Sequence, residues 1–599
     1  MKAFLVRAEN ILATLALGAI MALPLAEIAW RKIAHEGIPG AGPFASWLTM
    51  WVGLLGAAVA ARDGKLLTLA TSEFMPKGRL GDIAHILSGF VASMVAMIFA
   101  SGAWKLVQID KQAGDLIASG IDVPAWVGDL VLPVGFTLIA LRLAFRASPH
   151  WIGRALAASG ILLGLWLQGQ ADLINAHAVW PWFMLIVVGA LLGGPIFALL
   201  GGLAIFATFT QGNPPVELLV RAKESLTRGT LAAIPLFTLA GLLLAEGRSS
   251  QRLLRVLRAF FGWMPGGSAI AAATLCAFFT LFTGGSGVTI LVLGGLLLPA
   301  LLADRYPERF SIGLLTASGS LGLLFPLALP LMLYAIVAQA PMEELFIGGL
   351  LPGLVMLGLL AALGVRAALK AKATTSPFRV GEALGAIWEA KYELLLPVIV
   401  LGLFLSGVMT LLEAAPIAAL YTLIVQRYIH RDLPTWKDAV RVMTDCVALV
   451  GSILLILGVA SGLTDYFVDA RITPAVVDWT TTHIHSHLLF LLCLNLFLLL
   501  VGTVMDIFSA IIVVVPLLLP LAVGGFGMDP VHLGIIFVAN LELGFLHPPL
   551  GLNLLLASMR FKKPVLEVTW ATLPMLGILA LGVLLITYVP WLTLGLLHR

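Results

Sequence analysis

Apolar runs of about 20 residues, the length that crosses a hydrocarbon core, succeed one another along most of this 599-residue chain. Early runs begin near Ile11, Phe44, Ala84, Ala125 and Ile152. The first four predict a four-helix unit over 1–150, and the fifth a connecting membrane helix within 151–178 that leads into a more polar loop, Gly169–His177. A larger unit follows from 179. Its pattern divides into a first half, 179–365, a polar basic linker, 366–392, and a second half, 393–599.

The two halves repeat one another about 220 residues apart. The first carries Thr283-Gly284-Gly285-Ser286-Gly287, an LLLP element at Leu296–Pro299, and Gly322 to Pro326 as GLLFP. The second carries Gly502-Thr503-Val504-Met505-Asp506, LLLP at Leu517–Pro520, and Gly544 to Pro548 as GFLHP. On each side of the first motif the apolar arms, Ala269–Phe282 and Val288–Ala303 in one copy, His487–Val501 and Ile507–Val523 in the other, cover roughly 20–24 Å as helix. That is short of the roughly 30 Å core, so each pair predicts a re-entrant helical hairpin. The second motif breaks the following span. Proline lacks an N–H and removes the donor for the carbonyl four residues earlier, which is Gly322 in one copy and Gly544 in the other. Five crossings between the hairpins, an odd number, invert the second copy relative to the first. Paired interrupted segments in inverted halves are the signature of a secondary transporter's binding site.

Composition agrees with this pattern. The chain is 60% hydrophobic and 11% charged, against about 25% charged for a soluble domain. It is an all-α polytopic membrane protein. The formal charge of +4 belongs to basic loops, among them the linker with Arg366, Lys370, Lys372, Arg379 and Lys391, which the positive-inside rule puts in the cytoplasm. No basic patch interleaved with aromatics speaks for nucleic acid, and no P-loop for a nucleotide. Cys276, Cys446 and Cys493 sit in apolar runs without metal or disulfide spacing.

Oxygen ligands on exposed backbone and hydroxyls suit a hard cation, and helix ends at a break carry the matching dipoles. Each half therefore offers one candidate cation site where hairpin tip meets broken span. In the first, Gly285, Ser286 and Gly287 face Ser318, Gly319, Gly322 and Pro326; in the second, Gly502, Thr503 and Asp506 face Glu542, Gly544 and Pro548. The competing reading gives these Gly and Pro residues only close packing and kinks; their duplication in register favours function. Ionisable groups in apolar spans are functional by default. Asp506 has three readings: cation ligand, proton carrier, or cap of the helix beginning at Ile507. Glu542 either couples an ion or braces its span, and its counterpart in the first half is Ser320. His547 and Asn553 flank the second break. Glu27, Asp129, Glu413 and Asp465 read first as polar contacts between helices.

These residues resemble a known family. Ala317-Ser318-Gly319-Ser320-Leu321-Gly322 to Pro326, the segment Glu344–Gly353, and Asn540-Leu541-Glu542-Leu543-Gly544 through Pro548-Pro549 to Asn553 look like the large membrane subunit of a TRAP (tripartite ATP-independent periplasmic) transporter. Trp51, Gly53, Arg62, Gly64 and the stretch Pro124–Arg142 are similar, more loosely, to its small subunit. The resemblance implies an elevator-type carrier in the bacterial inner membrane, with the small four-helix unit extending its scaffold. It implies a Na⁺-driven importer of an organic acid, usually a carboxylate, with two or more Na⁺ ions as coupling ions. A separate periplasmic substrate-binding protein would deliver the substrate. Na⁺ would lie at the tips and breaks, and Ser286, Ser318, Ser320, Asp506 and Asn553 would face substrate. The fused scaffold implies a monomer in the lipid bilayer. Pro326-Leu327 departs from the Pro-Pro-Ser frequent in the family, and the first tip is richer in glycine. Two other readings remain: a carrier coupled to H⁺ through Asp506 or Glu542, and a membrane enzyme acting on lipid, for which a polar cluster at one interface is expected.

Overall fold

The computed structural model describes residues 2–69, 78–118, 121–168, 179–548 and 551–597. The polar loop Gly169–His177 and Pro549 lie outside these. Among the described residues, 11 helices are long and apolar enough to cross a membrane, and one further pair, Glu308–Leu324 with Leu329–Ala338, is bent by 42° at its break. Shorter helices lie between these, and two short antiparallel strands, Leu116–Ala118 and Ile121–Pro124, pair with one another. The chain is a polytopic helical membrane protein.

Two compact units form, and neither is one continuous stretch. The first comprises Met1–Leu236, Leu411–Ile417 and Val440–Ala475. It opens with the four predicted membrane helices, Lys2–Ala34, Ala41–Asp63, Arg79–Ala113 and Ala125–Arg146, followed by the shorter Trp151–Leu167. Small residues let backbones approach closely, as lipid-embedded packing requires. Gly451, on the long Trp436–Asp469 helix, packs on the Ala41–Asp63 helix, where a Cβ would lie 2.5 Å from the Gly56 Cα. Gly64 closes the Ala41–Asp63 helix at φ +71°, a left-handed conformation that glycine adopts without penalty.

The buried charges of this unit are paired. Lys223 Nζ donates to Asp110 at 2.6 Å and to the fully buried Asp129 at 2.9 Å, and lies 4.8 Å from the centre of the Trp47 ring. Burial opposes the Lys223 charge, but the hydrogen bonds it donates to both carboxylates outweigh it and hold the ammonium above the usual lysine range. Arg31 joins Glu27 at 2.8 Å and Glu413 at 2.9 Å. Asp129 and Glu413 thus make contacts between helices, as expected, while Glu27 pairs with Arg31 within its own helix; the Asp465 side chain is outside the description.

The second unit comprises Phe237–Thr410, Ala418–Ala439 and Val476–Arg599. It contains both repeats. The first hairpin has arms Gly267–Thr283 and Ser286–Ala303; then come Glu308–Ser318, a 3-10 turn at Leu321–Leu324, Leu329–Ala338 and the long Met342–Ala371. The second hairpin has arms His487–Val504 and Ile507–Leu519, the latter extended by a π-turn, Pro520–Gly525; then come Pro530–Gly544, Leu552–Phe561 and Val565–Tyr588.

The arms are longer and the tips tighter than expected. The arms run to 17 and 18 residues in the first copy and 18 and 19 in the second, roughly 25–28 Å of helix. Only Gly284 and Gly285 separate the first pair, and only Met505 and Asp506 the second. Ser286, Gly287 and Gly502 to Val504, placed at the tips by sequence, are already helical because local closure needs only two non-helical residues. Arm length by itself therefore does not make the hairpins re-entrant. Much of the 366–392 linker is also helical. Leu- and Ala-rich VRAALKA continues the preceding helix to Ala371, and Val380–Glu389 forms another.

Candidate functional site

In the first copy the hairpin and the broken span meet through hydroxyls and glycine. Thr280 Oγ1 donates to the Gly319 carbonyl at 2.7 Å, which leaves the Thr289 hydroxyl as donor in the 2.6 Å contact between Thr280 and Thr289. One buried hydrogen-bond chain thus ties both arms to the break. Gly319 packs on the trailing arm, where a Cβ would lie 3.5 Å from the Ser286 carbonyl oxygen, and Gly322 packs on the leading arm against Ala277, Thr280 and Leu281. Ser286, Ser318 and Thr283 are buried. The hydroxyls of Ser318 and Thr283 have no hydrogen-bond partner among the described residues. Of the residues expected here, the structure brings Ser286, Ser318, Gly319 and Gly322 to one place. Gly287 instead faces Leu556, and Gly284 packs on Leu329.

The carbonyls expected to be freed by proline are occupied. The Gly322 carbonyl accepts from the Phe325 N–H at 3.3 Å, and the Gly544 carbonyl from the His547 N–H at 3.0 Å. Proline does remove the donor four residues on; the chain answers by tightening, so that the donor three residues on takes over. Each break is thereby a closed turn. After Pro326 comes Leu327 at φ +71°, fully buried, a conformation costly for a residue with Cβ.

In the second copy the contact is glycine on glycine. A Cβ on Gly544 would lie 2.7 Å from the Gly502 Cα, and one on Gly502 would lie 3.0 Å from the Leu541 Cα. The Thr503 hydroxyl is spent on its own helix, donating to the Leu499 carbonyl at 2.8 Å. Asp506 caps the trailing arm: Oδ1 accepts from the N–H groups of Phe508 at 3.0 Å and Ser509 at 3.1 Å, and Oδ2 from the Ser509 hydroxyl at 2.5 Å. Glu542 is the opposite case. It is fully buried, and neither carboxylate oxygen has a hydrogen-bond partner among the described residues. His547, beside Pro548, keeps Nδ1 without a described partner.

Asn553 connects the copies. Its Nδ2 donates to the Ser320 hydroxyl and to the Thr316 carbonyl, both at 3.3 Å, and its backbone N–H spans the second break to the Phe545 carbonyl at 3.1 Å. Its Oδ1 has no described partner. Of the expected substrate set, Ser318, Ser320 and Asn553 therefore lie on one short stretch of structure, while Asp506 is engaged in its own cap. Sequence reasoning missed Thr280 and Thr289, left Thr283 of the tip motif out of the site, and missed a second buried network in which Asn495 accepts from Asn540 at 2.6 Å and from Thr587 at 3.0 Å. A polar residue amid apolar arms was the available signal, and threonine gives it weakly.

Among the described residues no group of three His, Cys, Asp or Glu could hold a metal ion. What the breaks and tips offer is hydroxyls, carbonyls and a lone carboxylate, oxygen donors that suit a hard cation rather than zinc or iron.

Paired hairpins and broken helices in one unit of a polytopic chain define a membrane permease of the repeated, interrupted-helix kind. Comparison with known proteins narrows the class. The family model "Tripartite ATP-independent periplasmic transporter, DctM component" matches residues 182–592, and that of the DctQ component matches 20–151. The chain belongs to the TRAP transporter family, with the two membrane components fused. It is 31% identical to the isethionate TRAP transporter permease protein DctMQ of Oleidesulfovibrio alaskensis, over 93% of this chain and 88% of that one. It is 31% identical to the C4-dicarboxylate TRAP transporter large permease protein DctM of Vibrio cholerae, over 69% of this chain and 95% of that one. The sialic acid TRAP transporter permease protein SiaT of Haemophilus influenzae is 24% identical, over 96% of this chain and 95% of that one. These relatives are named as permeases, so the lipid-modifying enzyme reading falls.

Proposed function

We propose that this chain is the membrane component of a Na⁺-coupled secondary importer of an organic acid in the bacterial inner membrane. A separate periplasmic binding protein delivers the substrate, and the fused chain works as a monomer. The observation that carries the reading is the gathering of both hairpins and both breaks in one compact unit. A unit that contains both candidate sites can move as a body and carry them across the membrane, which is the elevator mechanism. The other unit contains neither hairpin. Relatives named for isethionate, C4-dicarboxylate and sialic acid all handle acids, which supports an anionic substrate here.

One cation site lies at Ser286, Ser318, Thr283 and Gly319, and the other beside Glu542, Gly502 and Gly544. Ser320 and Asn553 contact the substrate between the copies. The test is uptake into proteoliposomes with the matched binding protein. An inward Na⁺ gradient drives accumulation; uptake that survives Na⁺ removal and stops when the pH gradient collapses overturns the Na⁺ reading. That second outcome is the H⁺-coupled alternative, and a specific observation favours it as runner-up: a partnerless buried carboxyl at Glu542 can be relieved by a proton as well as by a cation.

A further inference from the structure

Between the repeats lies a surface that the transport reading does not use. The ten-residue helix Val380–Glu389 packs its buried Ala383 and Ala386 on the helix Ser249–Phe261. Its other stripe, Val380, Leu384 and Trp388, is 62%, 62% and 72% exposed, and Phe378 just ahead of it is 48% exposed. A spacing of four residues puts the three on one helical face. A merely solvated linker has no use for such a stripe, whereas a helix lying in the membrane interface does. The location agrees. The preceding membrane helix ends at Ala371, and apolar helix resumes at Lys391. Lys391 Nζ sits 3.5 Å from the Trp388 ring centre, an amphipathic pairing suited to the boundary of a bilayer.

Beside this helix is a cavity of about 600 Å³, lined among others by Gln251, Arg255, Arg258, Ser376, Arg379 and Glu382. Arg255 is held by Glu382 at 2.8 Å and Glu389 at 2.5 Å, and Arg258 by Asp304 at 2.5 Å. A guanidinium carries five N–H donors, and these contacts engage only part of each fork. They fix the two planes while leaving donors for a further oxyanion. Hydrogen bonding from Arg255 keeps Glu382 below the usual glutamate range, with the Arg379 charge adding to it, so Glu382 stays an acceptor.

We propose that this cavity binds the headgroup of an anionic phospholipid, phosphatidylglycerol being the best fit, with Phe378, Val380, Leu384 and Trp388 seated among its acyl chains. Arg255, Arg258 and Arg379 take the phosphate. Ser376 and Glu382 take the glycerol hydroxyls, which phosphatidylcholine lacks. The linker between the repeats is then an anchor in the cytoplasmic leaflet, at the side where basic residues and acidic lipids meet.

The test is lipid retention by the delipidated full-length protein in native mass spectrometry, together with its thermal midpoint. Phosphatidylglycerol should be retained and raise the midpoint, while phosphatidylcholine of the same chains and inorganic phosphate should do neither. Arg379→Gln should weaken phosphatidylglycerol retention about tenfold and Arg379→Lys less. Leu384→Asn with Trp388→Asn, exposed positions that leave the fold intact, should weaken it similarly. Equal retention of the two lipids, unchanged retention in all variants, or equal stabilisation by inorganic phosphate alone would each overturn the proposal.

Discussion

The side-chain amide of Asn553 donates to the hydroxyl of Ser320 at 3.3 Å, so a residue just past the second break holds the turn of the first. Both are fully buried, and the same nitrogen reaches the Thr316 carbonyl. The two repeats are therefore cross-linked at their breaks. Asn553→Ala removes both bonds and should cost about 1–3 kcal/mol. Uptake in proteoliposomes should fall at least tenfold while the protein still inserts. Full uptake by a folded variant would show that the link is only structural.

Asp506 is satisfied by three local donors. Asparagine caps a helix about as well as aspartate, and alanine costs about 1 kcal/mol. Asp506→Asn should thus keep its thermal midpoint and retain transport within a few fold, whereas Asp506→Ala should lose stability. If Asp506→Asn folds yet abolishes Na⁺-dependent uptake, the carboxylate is an ion ligand as well as a cap.

Glu542 presents the reverse expectation. Its carboxylate is buried without described partners, so a bound cation should stabilise the protein. Replacing choline by Na⁺ should raise the wild-type midpoint, by mass action on the folded state. Glu542→Gln should fold at least as well in choline but show a smaller Na⁺ response, because only the site in the first copy still binds. An unchanged Na⁺ response in the variant removes Glu542 from the cation site.

Gly544 packs against Gly502 with no room for a methyl group. Gly544→Ala should destabilise by about 1–3 kcal/mol through overpacking and displace the second hairpin. Gly577, with nothing within 4 Å of an added Cβ and in the middle of the Val565–Tyr588 helix, is the matched control. Gly577→Ala should be neutral or stabilise by up to about 1 kcal/mol. Thermal unfolding of the purified variants distinguishes them.

In the other unit Lys223 neutralises two carboxylates, one of them fully buried. Lys223→Met should cost about 3–5 kcal/mol, because the buried Asp129 loses its counter-ion, and Asp129→Asn should restore part of that loss. Because the folded state holds the Lys223 ammonium above its ordinary value of 10.5, its contribution is complete below that value. It disappears only as pH rises through the higher folded value.

The repeat was legible because glycine and proline interrupt apolar runs visibly, and LLLP sets the register. The bonds that close the site were not. The contact from Thr280 to Thr289 and Gly319 depends on which faces of two arms meet, and threonine is unremarkable in an apolar helix. For Asp506 three roles were open from sequence; the local geometry fills both oxygens with donors from the next turn. The proline argument correctly identified the Gly322 and Gly544 carbonyls as losing their donors four residues on, but did not foresee that a three-residue turn would recapture both. The linker shows a different limit: its charge identifies it as polar, but its helix Val380–Glu389 rests on apolar residues spaced four apart among those charges.

Of the three thiols, Cys276 and Cys446 are buried and Cys493, on the leading arm of the second hairpin, is exposed. Burial shields the other two thiols, so Cys493 is the one that a membrane-permeant reagent is expected to reach first, without a cysteine-free background. A fluorophore or spin label delivered by a membrane-permeant maleimide will attach to the part expected to travel, and its distance to a fixed point would report each turnover directly.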